Sequence, residues 1–330
     1  MNAPDFQQAF FNRIRESLPP HISMPDRLAE LLNISYDSVY RRIRGEKPIS
    51  MNELKLLCEH FQISLDQVLE IKSEAVLFQA PDINDPAPDF ESYLQGILKQ
   101  FFYFNSFKTR KLSYLCKDLP IWYFYFFPEI AAFKTFCWIK TVQNHKDYAN
   151  KKFSLKEFPF NDCFKIGQQI LKECNRIPCV ELWNYESLSS TLRQIEYYKD
   201  AGLFSDKQDF MKVLDSLRNT LEHLQKQAEV GRKFFPQLPA AVSQEPYELF
   251  INEVIIGNNT IILELDSTAH CFINYNVLSY LFTKDARFTA QASISFKNLL
   301  SRSSNISGTG EKFRNKYFEY QYEKLESLRR

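Results

Sequence analysis

Apolar residues in the first 70 or so positions recur at helical spacing in a series of short blocks. In 5–17, Phe6, Phe10 and Ile14 fall on one face, and Pro19-Pro20 stops the run. A second block follows Ser23, a good N-cap, with Asp26 three residues later and Leu28, Leu31 and Leu32 as its apolar face. Asn33-Ile34-Ser35 reads as a tight turn whose serine caps a third helix. That helix carries Tyr36, Val39, Tyr40 and Ile43 at i, i+3, i+4 and i+7, and Gly45 ends it. Ser50 caps a fourth helix with Leu54, Leu57, Cys58 and Phe61 inward, and a short fifth covers 65–69.

Residues 79–90, QAPDINDPAPDF, break the pattern with three prolines and three aspartates, the composition of an extended linker. The chain therefore divides into a helical domain at 1–72, a linker at 73–89 and an effector or dimerisation region at 90–330. Helical spacing resumes at 90–105, 108–118, 128–148, 160–176, 184–201 and 206–232. Leu188, Leu192, Ile195 and Tyr198 show it, as do Val213, Leu214, Leu217, Leu221 and Leu224. Character changes over 249–275: LFINEVII, GNN, TIILELD and HCFINYN read as strand, turn, strand, strand, with Gly257-Asn258-Asn259 supplying a hairpin. Helices are expected again at 276–282, 286–301 and 311–328. The fold class expected is mainly α: an N-terminal five-helix domain, then a larger helical domain with a small antiparallel β element near 249–275.

Composition supports packed helices. Phe and Tyr number 30 and 17 among 330 residues, and Gly only 8. Net charge is +1, so affinity for nucleic acid must come from a local patch. Seven cysteines without a C-x-x-C pair read as reduced thiols and imply a cytoplasmic location. The N-terminus is polar and amphipathic, unlike a secretory signal. The most apolar stretch, 119–139, is interrupted by Pro120, Pro128, Glu129 and Lys134, whereas a spanning helix needs about 20 continuous apolar residues. No membrane association is expected.

The segment DRLAELLNISYDSVYRRIRGEKPISMNELKLLCEHFQISLDQVL resembles the lambda-repressor/Cro-like (Xre-type) helix-turn-helix of bacterial-type regulators. The matching features are the helix with Leu28, Ala29 and Leu31/Leu32, the Asn-Ile-Ser turn, the helix with Val39 and Ile43 stopped at Gly45, the Leu-rich helix, and ISLDQVL. The resemblance covers about 50 residues. It implies that 35–44 is a recognition helix entering a major groove about 12 Å wide. With Val39, Tyr40 and Ile43 inward, Asp37, Ser38, Arg41, Arg42 and Arg44 face out. Tyr36, Asp37, Ser38, Arg41 and Arg42 are then the base-reading candidates, with Arg41 the first choice for guanine. Ser23, Arg44 and Lys47 are the candidates for phosphate. One departure stands out. Many relatives carry an apolar residue at the Arg42 position and an acidic one at the Ile43 position; the two look exchanged here, which points to a slight rotation of the helix.

Other constellations carry less. The basic segment 99–156 interleaves aromatics, as in Trp122-Tyr123-Phe124-Tyr125-Phe126-Phe127. It reads as aromatic core with lysines outside, against a stacking surface for nucleic acid or an apolar groove. Ser307-Gly308-Thr309-Gly310-Glu311-Lys312 reads as a loop and helix start, not a phosphate loop. The five histidines read as structural. With no H-E-x-x-H, no G-x-S-x-G and no Cys/His pair, neither enzyme activity, cofactor nor metal is expected.

The function expected is a sequence-specific, DNA-binding transcriptional regulator. Its partners would be double-stranded DNA, a second copy of the chain joined through 206–232 or 311–328, and a small-molecule or protein effector. Two alternatives belong to other classes: a scaffold whose N-terminal bundle binds protein, as the near balance of nine basic and ten acidic residues in 1–72 would allow, and a DNA-targeted enzyme with an unrecognised C-terminal site.

Overall fold

The computed structural model describes residues 3–19, 21–61, 63, 65–68, 75–80, 89–158, 160–236, 245–254, 257–277 and 279–330. Residues 73–74 and 81–88 of the expected linker lie outside them. Within 75–80, Gln79 forms a two-way backbone bridge with Phe282, and Phe78 meets Phe288 edge to face.

Among the described residues the N-terminal unit has five helices: α1 (Ala3–Ser17), α2 (Met24–Leu32), α3 (Tyr36–Ile43), α4 (Met51–Phe61) and α5 (Leu65–Val68). Their apolar stripes close a small core of Phe10, Phe11, Ile14, Met24, Leu28, Val39, Leu57, Phe61 and Val68. Periodicity alone places most of these residues correctly, because a helix shorter than about 12–15 residues is held by the face it buries.

The region after 89 corrects the expected fold class. It is not a helical body with a small hairpin but a seven-stranded mixed sheet covered by helices, in the order β6-β5-β4-β1-β2-β3-β7. The strands are β1 (Arg110–Leu115), β2 (Cys179–Trp183), β3 (Tyr247–Ile251), β4 (Thr260–Leu265), β5 (Thr268–Asn274), β6 (Tyr280–Thr283) and β7 (Ser304–Asn305). β1, β2 and β3 run parallel at the centre. β4, β5 and β6 extend one side as an antiparallel meander, and β7 closes the other.

Several expectations change with it. Residues 108–118 contain a strand, not a helix, and 276–282 lead into β6. The expected pairing across Gly257-Asn258-Asn259 does not form: β3 pairs with β2 and β7, whereas β4 pairs with β1 and β5. The physical reason is tertiary. Central parallel strands are buried on both faces and lose the alternation that marks a solvent-facing strand. All five residues of β2 are buried, and one of them is Glu181, which interrupts the apolar run.

Helices α6 (Phe90–Asn105), α7 (Pro128–Cys137), α8 (Asn161–Cys174), α9 (Ser189–Asp200), α10 (Lys207–Val230) and α12 (Glu311–Ser327) contribute to the larger core. Helix α11 (Ala286–Leu300) packs on the opposite face against Leu115, Val180, Leu182, Ile262 and Cys271. The aromatic run is core: Trp122, Tyr123, Phe124, Tyr125 and Phe126 form a buried 3-10 turn. Gly167 lets α8 meet it, since a Cβ there would lie 2.1 Å from the Tyr125 ring.

The buried Glu181 is fully engaged. Oε1 accepts from the Tyr123 hydroxyl at 2.5 Å, and Oε2 accepts from Trp183 Nε1 at 3.0 Å and the Tyr247 hydroxyl at 3.1 Å. The equally buried Lys233 ammonium lies 3.6 Å from Oε1. A charge removed from water needs this density of partners.

Candidate nucleic-acid interface

Three local devices set the position of α3. Ser35 begins it, its Oγ accepting from the Ser38 N–H at 3.4 Å. The link from α2 turns through Asn33 in the left-handed region, φ 50°, where its N–H reaches the carbonyls of Ala29 and Glu30. At the far end Gly45 adopts φ 78°, the Gly45 N–H donates to the Arg42 carbonyl at 3.0 Å, and the Glu46 N–H donates to the Arg41 carbonyl at 2.9 Å. This paired closure is a Schellman motif, and glycine adopts its left-handed residue without the Cβ clash.

Gln7 of α1 then fixes the loop after α3. Its Nε2 donates to the carbonyls of Arg42 (2.7 Å) and Lys47 (2.8 Å), and its Oε1 accepts from the Ile49 N–H (2.9 Å). Behind α3, Ser50 and Glu53 form a capping box at the start of α4: Glu53 Oε2 accepts from the Ser50 N–H at 2.8 Å, and the Glu53 N–H donates to Ser50 Oγ at 3.2 Å. The other oxygen, Oε1, takes Arg42 Nη2 at 2.7 Å. Burial pushes the Glu53 carboxyl up, but the Ser50 N–H and the Arg42 guanidinium outweigh it and hold it below its usual value.

The inward face of α3 is therefore not the one periodicity gives. Val39 and Arg42 are buried, Arg42 with its side chain only 6 % exposed, and Ile43 is half-buried. Tyr40, expected inside, is 47 % exposed. Arg42, expected to face DNA, is a structural ion-pair partner that also donates to the Ser38 carbonyl at 3.2 Å. Carrying the guanidinium inward rotates the helix so that Tyr36 and Tyr40 come outward.

The remaining outward positions hold. Tyr36 and Asp37 are exposed and Ser38 is half-buried. The side chains of Arg41 and Arg44 are 51 % and 55 % exposed, and Lys47 is exposed beyond them. Ser23 sits exposed at the start of α2, its Oγ 3.5 Å from the Asp26 N–H. Asp26 faces Tyr36 and raises its phenol pKa through a hydrogen bond. Both outward arginines converge on one carboxylate: Glu46 lies 2.6 Å from Arg44 Nε and 3.8 Å from Arg41 Nε. Arg44 lowers the Glu46 carboxyl by hydrogen bonding, and Glu46 raises the Arg44 pKa in return.

Helix α2, the left-handed turn and α3 lie inside a segment, residues 21–74, that matches the family model described as the Cro/C1-type HTH DNA-binding domain. The N-terminal segment carries a Cro/C1-type helix-turn-helix. No curated protein and no solved structure matches the chain. The helix-turn-helix match thus accounts for residues 21–74, and no comparison assigns the sheet-containing body.

Sequence reasoning missed Gln7, Glu46 and the role of Glu53. The S-x-x-E spacing of Ser50 and Glu53 was a readable sign of a capping box. Nothing local shows that its free oxygen reaches Arg42. The other sequence candidates fall away from this surface. His223 Nε2 donates to the Phe234 carbonyl at 2.7 Å inside the body. At the 307–312 loop the carbonyls of Gly308 and of the preceding Ile306 accept from the buried Arg314 guanidinium at 2.9 Å each. Among the described residues no cluster of His, Cys, Asp and Glu has the makings of a metal site, and no helix is long and apolar enough to cross a membrane.

Proposed function

We propose that the chain is a sequence-specific, double-stranded-DNA-binding transcriptional regulator that acts in the cytoplasm and inserts α3 into the major groove. The observation that carries this reading is a rigidly capped α3 whose outward arginines are not covered by the rest of the molecule. Arg41 is the base-reading arginine, bidentate to guanine, with Tyr36, Asp37 and Ser38 toward the start of the helix. Arg44, Lys47 and the α2 N-terminus at Ser23 hold phosphates. Arg42 reads no base and instead fixes the angle of the helix.

Binding as a homodimer to two half-sites about one helical turn apart belongs to the same proposal. The segments expected to supply the interface, 206–232 and 311–328, correspond to α10 and α12, whose apolar faces are spent on the core of their own chain. The body is given a regulatory role rather than a catalytic one.

The test is site selection from a random duplex pool followed by mobility shift. Arg41→Ala should weaken binding to the selected site by roughly tenfold to a hundredfold, the value of one bidentate base contact, while leaving non-specific binding nearly intact. Equal affinity of wild type and variant for that site would refute the assignment of Arg41.

A further inference from the structure

A cavity of about 260 Å³ lies where the helix-turn-helix meets the body. One wall is apolar: Phe61, Ile63 and Val68, from α4, α5 and the turn between them. The facing wall comes from the β5–β6 edge of the sheet and the first turns of α11, and it presents His270 and Lys284. The strand register brings those two together, one step beyond the pair Cys271↔Thr283.

Neither side chain has a partner within the described protein. His270 is 4 % exposed, and among the described residues neither it nor Lys284 has a hydrogen-bond or ion-pair partner. Burial lowers the Lys284 pKa. Burial, and then the charge of Lys284, lowers that of His270 to about 3. The nearby acids are already committed. Asp285 caps α11 through the Phe288 N–H at 2.9 Å and pairs with Arg287 at 3.4 Å. Glu16 pairs with Arg13 at 3.4 Å on the cavity rim. A half-buried cation beside a buried, unpartnered imidazole on one wall of a partly open cavity lacks an anion.

We propose that this cavity is a binding site for a small organic carboxylate, its acid group on Lys284 and His270 and its apolar body against Phe61, Ile63 and Val68. The volume lies just under the range of about 300–1,000 Å³ that takes drug-sized ligands, so the occupant is smaller than those. Inorganic phosphate would satisfy the cationic wall but leave the apolar wall uncovered. Because the walls come from both parts of the chain, an occupant ties the helix-turn-helix to the body. The site itself does not depend on the DNA-binding reading.

The experiment uses the full chain without DNA, so it stands or falls separately from that reading. Benzoate is titrated while the His270 Cε1–H resonance is followed by NMR, with benzamide and inorganic phosphate as controls. The expected result is a saturable benzoate shift that the neutral benzamide does not give. Lys284→Met should weaken it at least tenfold with an unchanged circular-dichroism spectrum, and Lys284→Arg should retain it. No saturable shift, an equal response to benzamide, binding of phosphate but not benzoate, or undiminished binding in a folded Lys284→Met protein would each overturn the assignment.

Discussion

Arg42 and Glu53 lock α3 to α4 behind it, with Nη2 2.7 Å from Oε1 and the arginine almost wholly enclosed. Glu53 also caps α4, so one carboxylate sets both the start of α4 and the rotation of α3.

The two partners are not equivalent in cost. Glu53→Ala removes a cap and strands a buried guanidinium, which should destabilise the helix-turn-helix by about 3 kcal/mol. Arg42→Ala leaves a carboxylate that still holds the Ser50 N–H and meets some solvent, and should cost about 1–2 kcal/mol. Urea denaturation of both variants checks the order. The double variant should cost less than the sum, the sign of direct coupling.

Under the proposed function, Glu46 would compete with DNA for Arg41 and Arg44, both of which it pairs with. Glu46→Gln should therefore raise non-specific affinity for duplex DNA several-fold and steepen its salt dependence by about one phosphate contact, a slope change near 0.9. Fluorescence anisotropy across a salt series measures both. Unchanged affinity and slope would mean the two arginines do not reach phosphates or bases from this position.

Acid should act in two windows. His223 and His270 are held neutral by burial, with pKa values lowered to about 4 and about 3. Unfolding lets them bind protons, starting near the free value of about 6.5. Their contribution is complete above that value and is lost as pH falls from there through the folded values, on the order of 1 kcal/mol per pH unit for each. Glu53 has the usual carboxylate sign: its folded pKa is lowered, so its contribution is present above about 4.3 and is lost below it, as the pH falls through the folded value. Thermal melts between pH 7 and 3 should show the body weakening first. His223→Gln should flatten the upper window, and Glu53→Gln only the lower one.

The Glu181–Lys233 pair should be costly to break and cheap to replace. Lys233→Met alone leaves a buried carboxylate without its cation and should cost about 3–5 kcal/mol. Changing Glu181 to Gln in the same protein should recover part of that loss, since the amide oxygen can keep the Trp183 and Tyr247 donors while the amide NH2 donates to the Tyr123 hydroxyl, which turns to accept. Chemical denaturation of the single and double variants checks the recovery.

The helix-turn-helix was legible because its signals are local. Ser23 and Ser35 as caps, Asn33 and Gly45 as left-handed turns, and apolar residues at helical spacing are decided within a few residues of each other. The inward turn of Arg42 was not legible, because its cause lies eleven positions away on another helix. The sheet was legible only in part. β4 and β5 show strand character because they follow one another across the tight turn at Asp266. β1 and β2 gave no such sign. Their partners lie far along the chain, and β2 carries a carboxylate at a position that burial alone would make apolar.

By itself, then, the sequence determined the five short N-terminal helices, the family of their arrangement and the long helices of the body, since each follows from spacing and caps inside one segment. Tertiary structure decided the seven-strand order, the side of α3 that faces outward and the cavity between the two parts of the chain. Those features depend on which distant residues meet, and on whether a buried charge finds a partner there.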